Sequence, residues 1–182
     1  MKRLKRKFNI LFVALKQGKH SFVYKIDNTF FEAFNFYDFL GADVLVNLNF
    51  EKTATLFKLN FVANGSIRVA CDLTNEPFNQ PVNTALNLVV KFGDAFNDDN
   101  ESILILPQQA YQLNVAQYIY EMLVLAVPAK HVHPGVANGT LKSEILDKLK
   151  ELQPKQEQDI SIAKNIDPRW AKLKTLKTEK KN

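Results

Sequence analysis

The chain has 182 residues with a formal net charge of +5, 46% apolar residues, 14 Phe and a single Cys. This length favours one main domain with tails, and the apolar share is sufficient for a hydrophobic core, which excludes global disorder. The single cysteine excludes an internal disulfide and is typical of a reducing compartment.

The N-terminus has the order of a secretion signal, because five basic residues within 1–7 precede the apolar run Phe8–Leu15. That run is short, contains Asn9, and continues into a polar segment without a small-residue cleavage site. No stretch approaches the roughly 18 apolar residues that a membrane span needs. We therefore expect a cytoplasmic protein with no membrane partner.

The first quarter of the chain predicts two strands and a helix. Phe8–Leu15 and His20–Ile26 are separated by a Gly-containing loop of hairpin length, so we expect them to pair. The Phe-rich segment Asn28–Phe39 has helical spacing of its aromatic residues, and Gly41 is expected to end that helix.

Alternation of apolar and polar residues with a period of two predicts the strands that follow. Asn64-Gly65 is the commonest two-residue hairpin signal and predicts a turn between two of them. We interpret Gly93–Asn100 as a solvated acidic loop. The predicted strands are Asp43–Lys52, Thr55–Ala63, Ser66–Cys71, a segment containing Leu86–Phe92, and Glu101–Leu106.

The period then changes to that of a helix. From Asn114 to Ala126 the apolar residues follow helical spacing on two faces, which predicts a helix packed on the sheet and ended by Pro128. Leu141–Leu152 predicts a more exposed helix, and Asp167-Pro168 is a strong signal for another helix start.

These elements predict an α+β fold: a curved antiparallel β-meander or partly open barrel packed by an apolar helix, with peripheral C-terminal helices. Residues 1–7 are predicted to be a basic N-terminal arm and residues 8–152 a single domain. Residues 153–182 are predicted to be a polar linker followed by a basic C-terminal helix or tail.

Residues suited to catalysis or metal binding are few. Cys71 with His131 or His133 as a base would make a nucleophile, and the same three side chains would supply zinc ligands, with Asp72 as a fourth after the turn rearranged. However, Cys71 alternates in phase with apolar residues, which favours a packed strand thiol. We therefore predict no enzyme activity, no catalytic residues, no cofactor and no small-molecule substrate.

In their order and spacing, these motifs resemble the YceD family, bacterial and plastid large ribosomal RNA subunit accumulation proteins. The resemblance rests on Asn64-Gly65, on Val69–Asp72, and on the apolar helix from Tyr120 to Pro128. The closing Asp167–Trp170 resembles the Bacteroidetes-like branch of that family.

One departure from the family concerns metal. Many members carry Cys-x-x-Cys at the turn and often a second cysteine pair after the helix. Here Cys71 holds the first position, Thr74 replaces the second cysteine, and His131 and His133 lie near the later pair. A threonine hydroxyl is a poor zinc ligand. The resemblance therefore implies a vestigial position without a metal, although affinity of Cys71 and the two histidines for metal stays open.

The resemblance implies a non-enzymatic ribosome-biogenesis factor that supports accumulation of large-subunit ribosomal RNA. It would bind ribosomal RNA, a large-subunit ribosomal protein, or both. The alternative is a protein-interaction module that carries a basic ribosomal protein without direct RNA contact. The RNA region or protein that is bound, and the oligomeric state, stay open.

Charge distribution suggests where RNA would bind. The two ends are strongly basic, whereas residues 8–171 hold 14 basic and 18 acidic residues. Such asymmetry favours a polyanionic partner, although basic termini also serve solubility alone. Trp170 and Leu173 are predicted partner contacts, with permanent packing on their own domain as the alternative. The predicted RNA-binding residues are Lys2, Arg3, Lys5, Arg6, Lys7, Arg169, Lys172, Lys174 and Lys177.

Overall fold

The structure, a computed structural model, describes residues 6–100, 102–141 and 143–152. The predicted linker and the predicted helix at Asp167 lie outside them. The strands are β1 (Asn9–Ile10), β2 (Gly18–Ile26), β3 (Gly41–Lys52), β4 (Leu56–Ala70), β5 (Pro77–Gly93), β6 (Asn97–Asn100), β7 (Ile103–Pro107) and β8 (Leu113–Asn114). The helices are α1 (Asn28–Glu32), α2 (Ala116–Ala126), α3 (Pro134–Ala137) and α4 (Glu144–Leu152), with a 3-10 turn at Phe12–Ala14.

The chain divides into two compact units, Met1–Ile145 and Leu146–Asn182. All the strands described above belong to the first unit. In the second unit, the described part is the C-terminal portion of α4. The predicted limits of the domain, residues 8 and 152, stay a prediction.

Six strands form one mixed sheet in the order β2-β3-β4-β5-β7-β6, and β1 pairs separately with β8. Strands β2 to β5 are consecutive antiparallel partners, whereas β7 runs parallel to β5 and antiparallel to β6. Strand β6 runs opposite to β5 and leaves one strand position free between them. The chain then reverses again, and β7 occupies that position parallel to β5. The fold is therefore α+β and mostly strands, with an open sheet, and the expectation of an entirely antiparallel sheet is wrong at this pair.

The predicted hairpin at Asn64-Gly65 is wrong. Strand β4 continues through both residues, and Gly65 lies opposite Val44 of β3. A Cβ atom at position 65 would lie 2.3 Å from the backbone oxygen of Asp43. The close approach of the β3 backbone therefore requires glycine at position 65. Glycine within a strand often marks such a close approach and not a turn.

The predicted N-terminal strand Phe8–Leu15 is mostly replaced by the 3-10 turn, and the predicted hairpin with the next strand is wrong because β2 pairs with β3. Burial of Phe12 between the rings of Phe57 and Phe92 draws the chain out of a strand path. The Lys52 ammonium donates to the carbonyls of Phe12 and Leu15 at 2.8 and 2.9 Å, which satisfies acceptors that no strand partner reaches.

The predicted helix Asn28–Phe39 is confirmed only over its first turn, as α1. Asn35 adopts a φ of 58°, a left-handed conformation that ends a right-handed helix. The aromatic residues beyond α1 instead surround Tyr120 of α2, with Phe34 stacked on it at 4.4 Å and Phe36 edge-on at 5.9 Å. Gly41 begins β3 and does not cap the helix.

The alternation predicted for the central strands is confirmed. On β4, Ile67 and Val69 are buried, as is Cys71 directly after the strand, and Arg68 between them is exposed. The apolar helix is also confirmed as α2, and it places Ile119 and Leu123 in the core formed with the sheet.

Three predicted boundaries differ from the structure. The predicted acidic loop contains strand β6. The loop after Pro128 contains α3, and α4 begins at Glu144, three residues later than Leu141.

We expect Gly65→Ala to destabilise the protein by roughly 2–4 kcal/mol, because the added methyl group overlaps the β3 backbone. Gly41→Ala is the matched control, since its Cβ would lie 3.6 Å from the Arg68 Cβ, an ordinary contact. Urea denaturation of both variants measures the difference. Equal destabilisation of the two variants would contradict the structural role assigned to Gly65.

A second expectation concerns Tyr24 of β2. Burial raises the pKa of its hydroxyl group from 10.0 to about 12. Because the folded protein holds this proton more tightly than the unfolded chain, its contribution to stability is complete below pH 10 and disappears as the pH rises through about 12. Tyr24→Phe should therefore lose less stability than the wild type between these pH values. Denaturant titrations of the wild type and Tyr24→Phe across this pH range provide the measurement. If the stability of both proteins depends on pH in the same way, the expectation is wrong.

Candidate nucleic-acid interface

Most of the predicted RNA-binding residues lie outside the described residues. These are Lys2, Arg3, Lys5, Arg169, Lys172, Lys174 and Lys177, together with the predicted partner contacts Trp170 and Leu173. Arg6 and Lys7 are described and exposed. They directly precede Phe8, which is buried and stacks on Tyr24 at 5.0 Å, so this end of the arm is anchored at β2.

The face of the sheet opposite the core carries a row of polar side chains. Ser21, Asn49, Asn60 and Asn87 lie directly opposite one another on β2, β3, β4 and β5. The Asn60 amide donates to the Asn87 carbonyl oxygen at 2.5 Å. Because side chains on a strand alternate between the faces, burial of the neighbouring residues directs this polar row away from the core.

Basic residues lie on both sides of the polar row, although on one side the neighbouring row holds Val23, Asn47, Val62 and Ala85. In the row on the other side, Lys19 and Lys58 flank Glu51 on the neighbouring strands, and a concavity of about 690 Å³ lies between that row and the polar row. The basic residues directed to this face are Lys19, Lys25, Lys58, Arg68 and Lys91, whereas the acidic ones are Asp43 and Glu51. We call this surface, with its polar row, the amide face.

The amide face is chemically suited to a sugar–phosphate backbone. Lysine and arginine bind phosphate oxygens, and asparagine side chains both donate and accept hydrogen bonds. Aromatic rings are absent from the four-residue polar row, so base stacking there contributes nothing. The arrangement therefore favours contacts to the backbone of a nucleic acid over stacking of its bases.

The sequence contains a signal for the amide face in addition to the basic ends. Asn47, Asn49 and Asn60 alternate with apolar residues, which indicates that they point away from the core. Their alignment with Asn87 depends on the register of four strands. A turn at Asn64-Gly65 would break that register, so the sequence pattern alone does not bring these side chains into one row.

The predicted vestigial metal position lies where the turn from β4 to β5 contacts the loop after α2. The Asp72 N–H donates to the His131 carbonyl at 2.8 Å, and the His131 N–H donates to the Asp72 carboxylate at 2.6 Å. The His133 N–H donates to the Cys71 sulfur at 3.3 Å. The structure thus brings these four residues together. We call this contact the Cys71 clasp.

Hydrogen bonds also organise the inside of the Cys71 clasp. Thr74 is a buried polar residue, 5% exposed, and its oxygen accepts the Glu76 N–H at 3.4 Å. Burial raises the pKa of the Cys71 thiol, but hydrogen bonds from the Thr74 hydroxyl and from the His133, Leu73 and Thr74 N–H groups outweigh it and lower the pKa below its ordinary value.

The residues of the Cys71 clasp do not fit a structural zinc ion. Such an ion needs four ligands, commonly Cys or His. Cys71 supplies one sulfur, Thr74 a hydroxyl, and the His133 Nδ1 already accepts the Gly135 N–H at 2.9 Å. Across the described ranges no group of three or more His, Cys, Asp or Glu residues is arranged to hold a metal. Hydrogen bonds therefore join the two segments here.

Comparison with known proteins identifies one family. The family model described as "Large ribosomal RNA subunit accumulation protein YceD" matches residues 59–177, more than half of the chain. The match begins within β4, so β2 and β3 lie outside it. The matched range is therefore narrower than the range of the resemblance drawn from the sequence. No curated protein and no solved structure is detectably similar to the chain. None of the helices that the structure describes is long and apolar enough to span a membrane.

The Cys71 clasp predicts metal-independent stability that depends on hydrogen bonds. We expect Cys71→Ala to cost roughly 1–3 kcal/mol, because it leaves the His133 N–H unpaired and creates a small cavity. Thr74→Val should cost roughly 1–2 kcal/mol through removal of the hydroxyl. Exposed Thr55→Val is the control and should change stability by less than about 0.5 kcal/mol.

The corresponding measurement is thermal unfolding of the wild type and the three variants, with and without a chelator. The chelator should leave every melting temperature unchanged. Stoichiometric zinc in the purified protein, with a lower melting temperature after chelation, would contradict the assignment.

Proposed function

The chain belongs to the YceD family of large ribosomal RNA subunit accumulation proteins, and from this we propose that it is a non-enzymatic ribosome-biogenesis factor. In this role it supports accumulation of large-subunit ribosomal RNA by binding that RNA directly. The family match is the observation that carries the role. The amide face supports the mode of binding.

Charge argues for two contributions to RNA binding. Residues 8–171 carry more acidic than basic residues, which opposes the approach of phosphates to the body as a whole. The amide face is an exception, because five basic residues there accompany only two acidic ones, and one of these, Asp43, lies 3.7 Å from Lys25. Phosphates that approach this side of the sheet therefore meet a locally cationic surface.

The basic ends contribute differently in this proposal. Arg6 and Lys7 precede Phe8 at β2, the edge strand that also carries Lys19 and Lys25 of the amide face. Cations that neutralise phosphates release counterions, so the ends supply affinity that falls steeply with salt. The amide face adds directional hydrogen bonds at defined strand positions, which orient the RNA. Trp170 and Leu173 are proposed contacts for a ribosomal protein.

Binding to a fragment of large-subunit ribosomal RNA, measured at two salt concentrations on the full chain, tests this proposal. Replacement of Lys2, Arg3, Lys5, Arg6 and Lys7 by Gln should reduce the salt slope by about 0.7–0.9 for each phosphate that the arm neutralises in the wild type. Lys19→Gln/Lys58→Gln should also weaken binding. The matched control, Lys16→Gln/Lys130→Gln, removes two exposed charges away from the polar row and should have a smaller effect.

Each contribution has its own contradicting result. If the amide-face variant and its control behave alike, the face does not contact RNA. If the wild type binds no RNA but binds a basic ribosomal protein, the alternative of a protein-interaction module replaces the proposal.

A further inference from the structure

The opposite side of the sheet, which carries α2, contains a second concave surface. A groove of about 570 Å³ lies between α2, β5 and β6. Its apolar lining comes from Leu86 and Leu88 of β5, Leu104 of β7, and Met122 and Leu125 of α2. Leu125 is 84% exposed and opens the groove to solvent, whereas Leu88, Leu104 and Met122 are buried core residues that line it from below.

Carboxylates border this groove. Asp98 and Asp99 project from β6, and Glu121 projects from α2, whereas no Lys or Arg is among the described residues that line the groove. Within the described part of the chain, none of the three carboxylates is in an ion pair. Their described partners are uncharged: the Gln117 amide donates to Glu121 at 2.6 Å and the Asn97 amide to Asp99 at 2.9 Å. We call this surface the acidic groove.

The negative potential acts inside the acidic groove as well as at its border. Tyr118 lies half-buried in the lining, and its pKa is raised to about 12, chiefly by burial and further by the charges of Asp98 and Glu121. Carboxylates from two different elements therefore act on the same point in the groove. A cation placed there is stabilised by both, whereas a phosphate is repelled by both.

We propose that the acidic groove binds a cationic segment of a partner protein, rich in Lys or Arg and carrying a bulky apolar side chain. The apolar side chain contacts Leu125 and Met122, and the cations face Asp98, Asp99 and Glu121. Charge complementarity selects this occupant over a nucleic acid. The α2 helix has 11 residues, so it offers a length of about 16 Å, enough for about three turns of a bound helix.

The charged residues of this docking surface differ from those of the surface proposed for RNA, and only the buried Leu88 borders both concavities among the described residues. The acidic groove uses residues of β5 that face α2, such as Leu86, whereas the amide face uses Asn87 on the other side of the same strand. A protein probe tests the groove without involving RNA. Failure of one proposal therefore leaves the other intact.

The experiment uses the full chain and a fluorescent synthetic peptide of about three helical turns, with a lysine-rich face and a leucine stripe. Asp98→Asn/Glu121→Gln should weaken binding roughly five- to tenfold and reduce its salt dependence, as expected for removal of two exposed charges. The control, Glu32→Gln/Asp38→Asn, removes two exposed carboxylates outside the groove and should leave binding unchanged.

A second variant separates apolar anchoring from charge. Leu125→Asn keeps every carboxylate and alters a side chain that is almost fully exposed, so folding is preserved. It should weaken binding of the leucine peptide but not of a matched peptide with alanine in place of leucine. Equal binding of the two peptides to the wild type would remove the apolar anchor from the proposal.

Four results would overturn the proposal. Unchanged peptide affinity in Asp98→Asn/Glu121→Gln would exclude the groove, and equally weakened binding in the control would show a general charge effect. Weaker binding of ribosomal RNA to the groove variants would make a nucleic acid the occupant. A smaller sedimentation coefficient of Leu125→Asn than of the wild type, without peptide, would make a second copy of the chain the occupant.

Discussion

Strand β4 is the constraint on which the other elements depend. It pairs with β3 from Phe57 to Arg68 and with β5 from Leu56 to Ala70, and no register shift interrupts either pairing. Burial alternates along this strand of 15 residues except at Asn64 and Gly65, which are both exposed, and it divides the molecule into two surfaces, since a slip of one residue would exchange them. Gly65 permits this continuity by allowing the β3 backbone to approach. The core and α2 lie on one surface, and the amide face is the other.

The end of β4 is held by the Cys71 clasp. The turn that follows β4 must reverse the chain into β5 and also contact the loop after α2, so it connects the sheet with the segment beyond the helix. Backbone donors from the loop after α2 converge here on one sulfur and one carboxylate of the turn, and these hydrogen bonds join the two segments. Such bonds are individually weak but directional. The bond to the Cys71 sulfur is partly shielded from water by the burial of Cys71, whereas the bond to the Asp72 carboxylate is exposed.

The sequence predicts those features that depend on periodicity and fails on those that depend on distant partners. Alternation along Asp43–Lys52 and helical spacing before Pro128 identified β3 and α2, because each pattern reports burial by a single neighbouring layer. The Asn64-Gly65 signal failed because the same dipeptide serves a turn or a close backbone approach, and only the position of β3 distinguishes them. Helix α1 ended early since the Phe residues beyond it contact Tyr120, more than 80 residues away in sequence.

The candidate sites also depend on distant partners, so the sequence predicts them only in part. Net charge along the sequence averages over both surfaces of the sheet, so a body with excess acidic residues conceals a cationic face and an acidic groove. The two surfaces lie on opposite faces of the sheet, so each partner contacts its own set of charged side chains. Opposite charges bound on the two faces attract each other, and physiological salt, with a Debye length of about 8 Å, weakens that attraction. If both proposals hold, binding of one partner therefore does not oppose binding of the other.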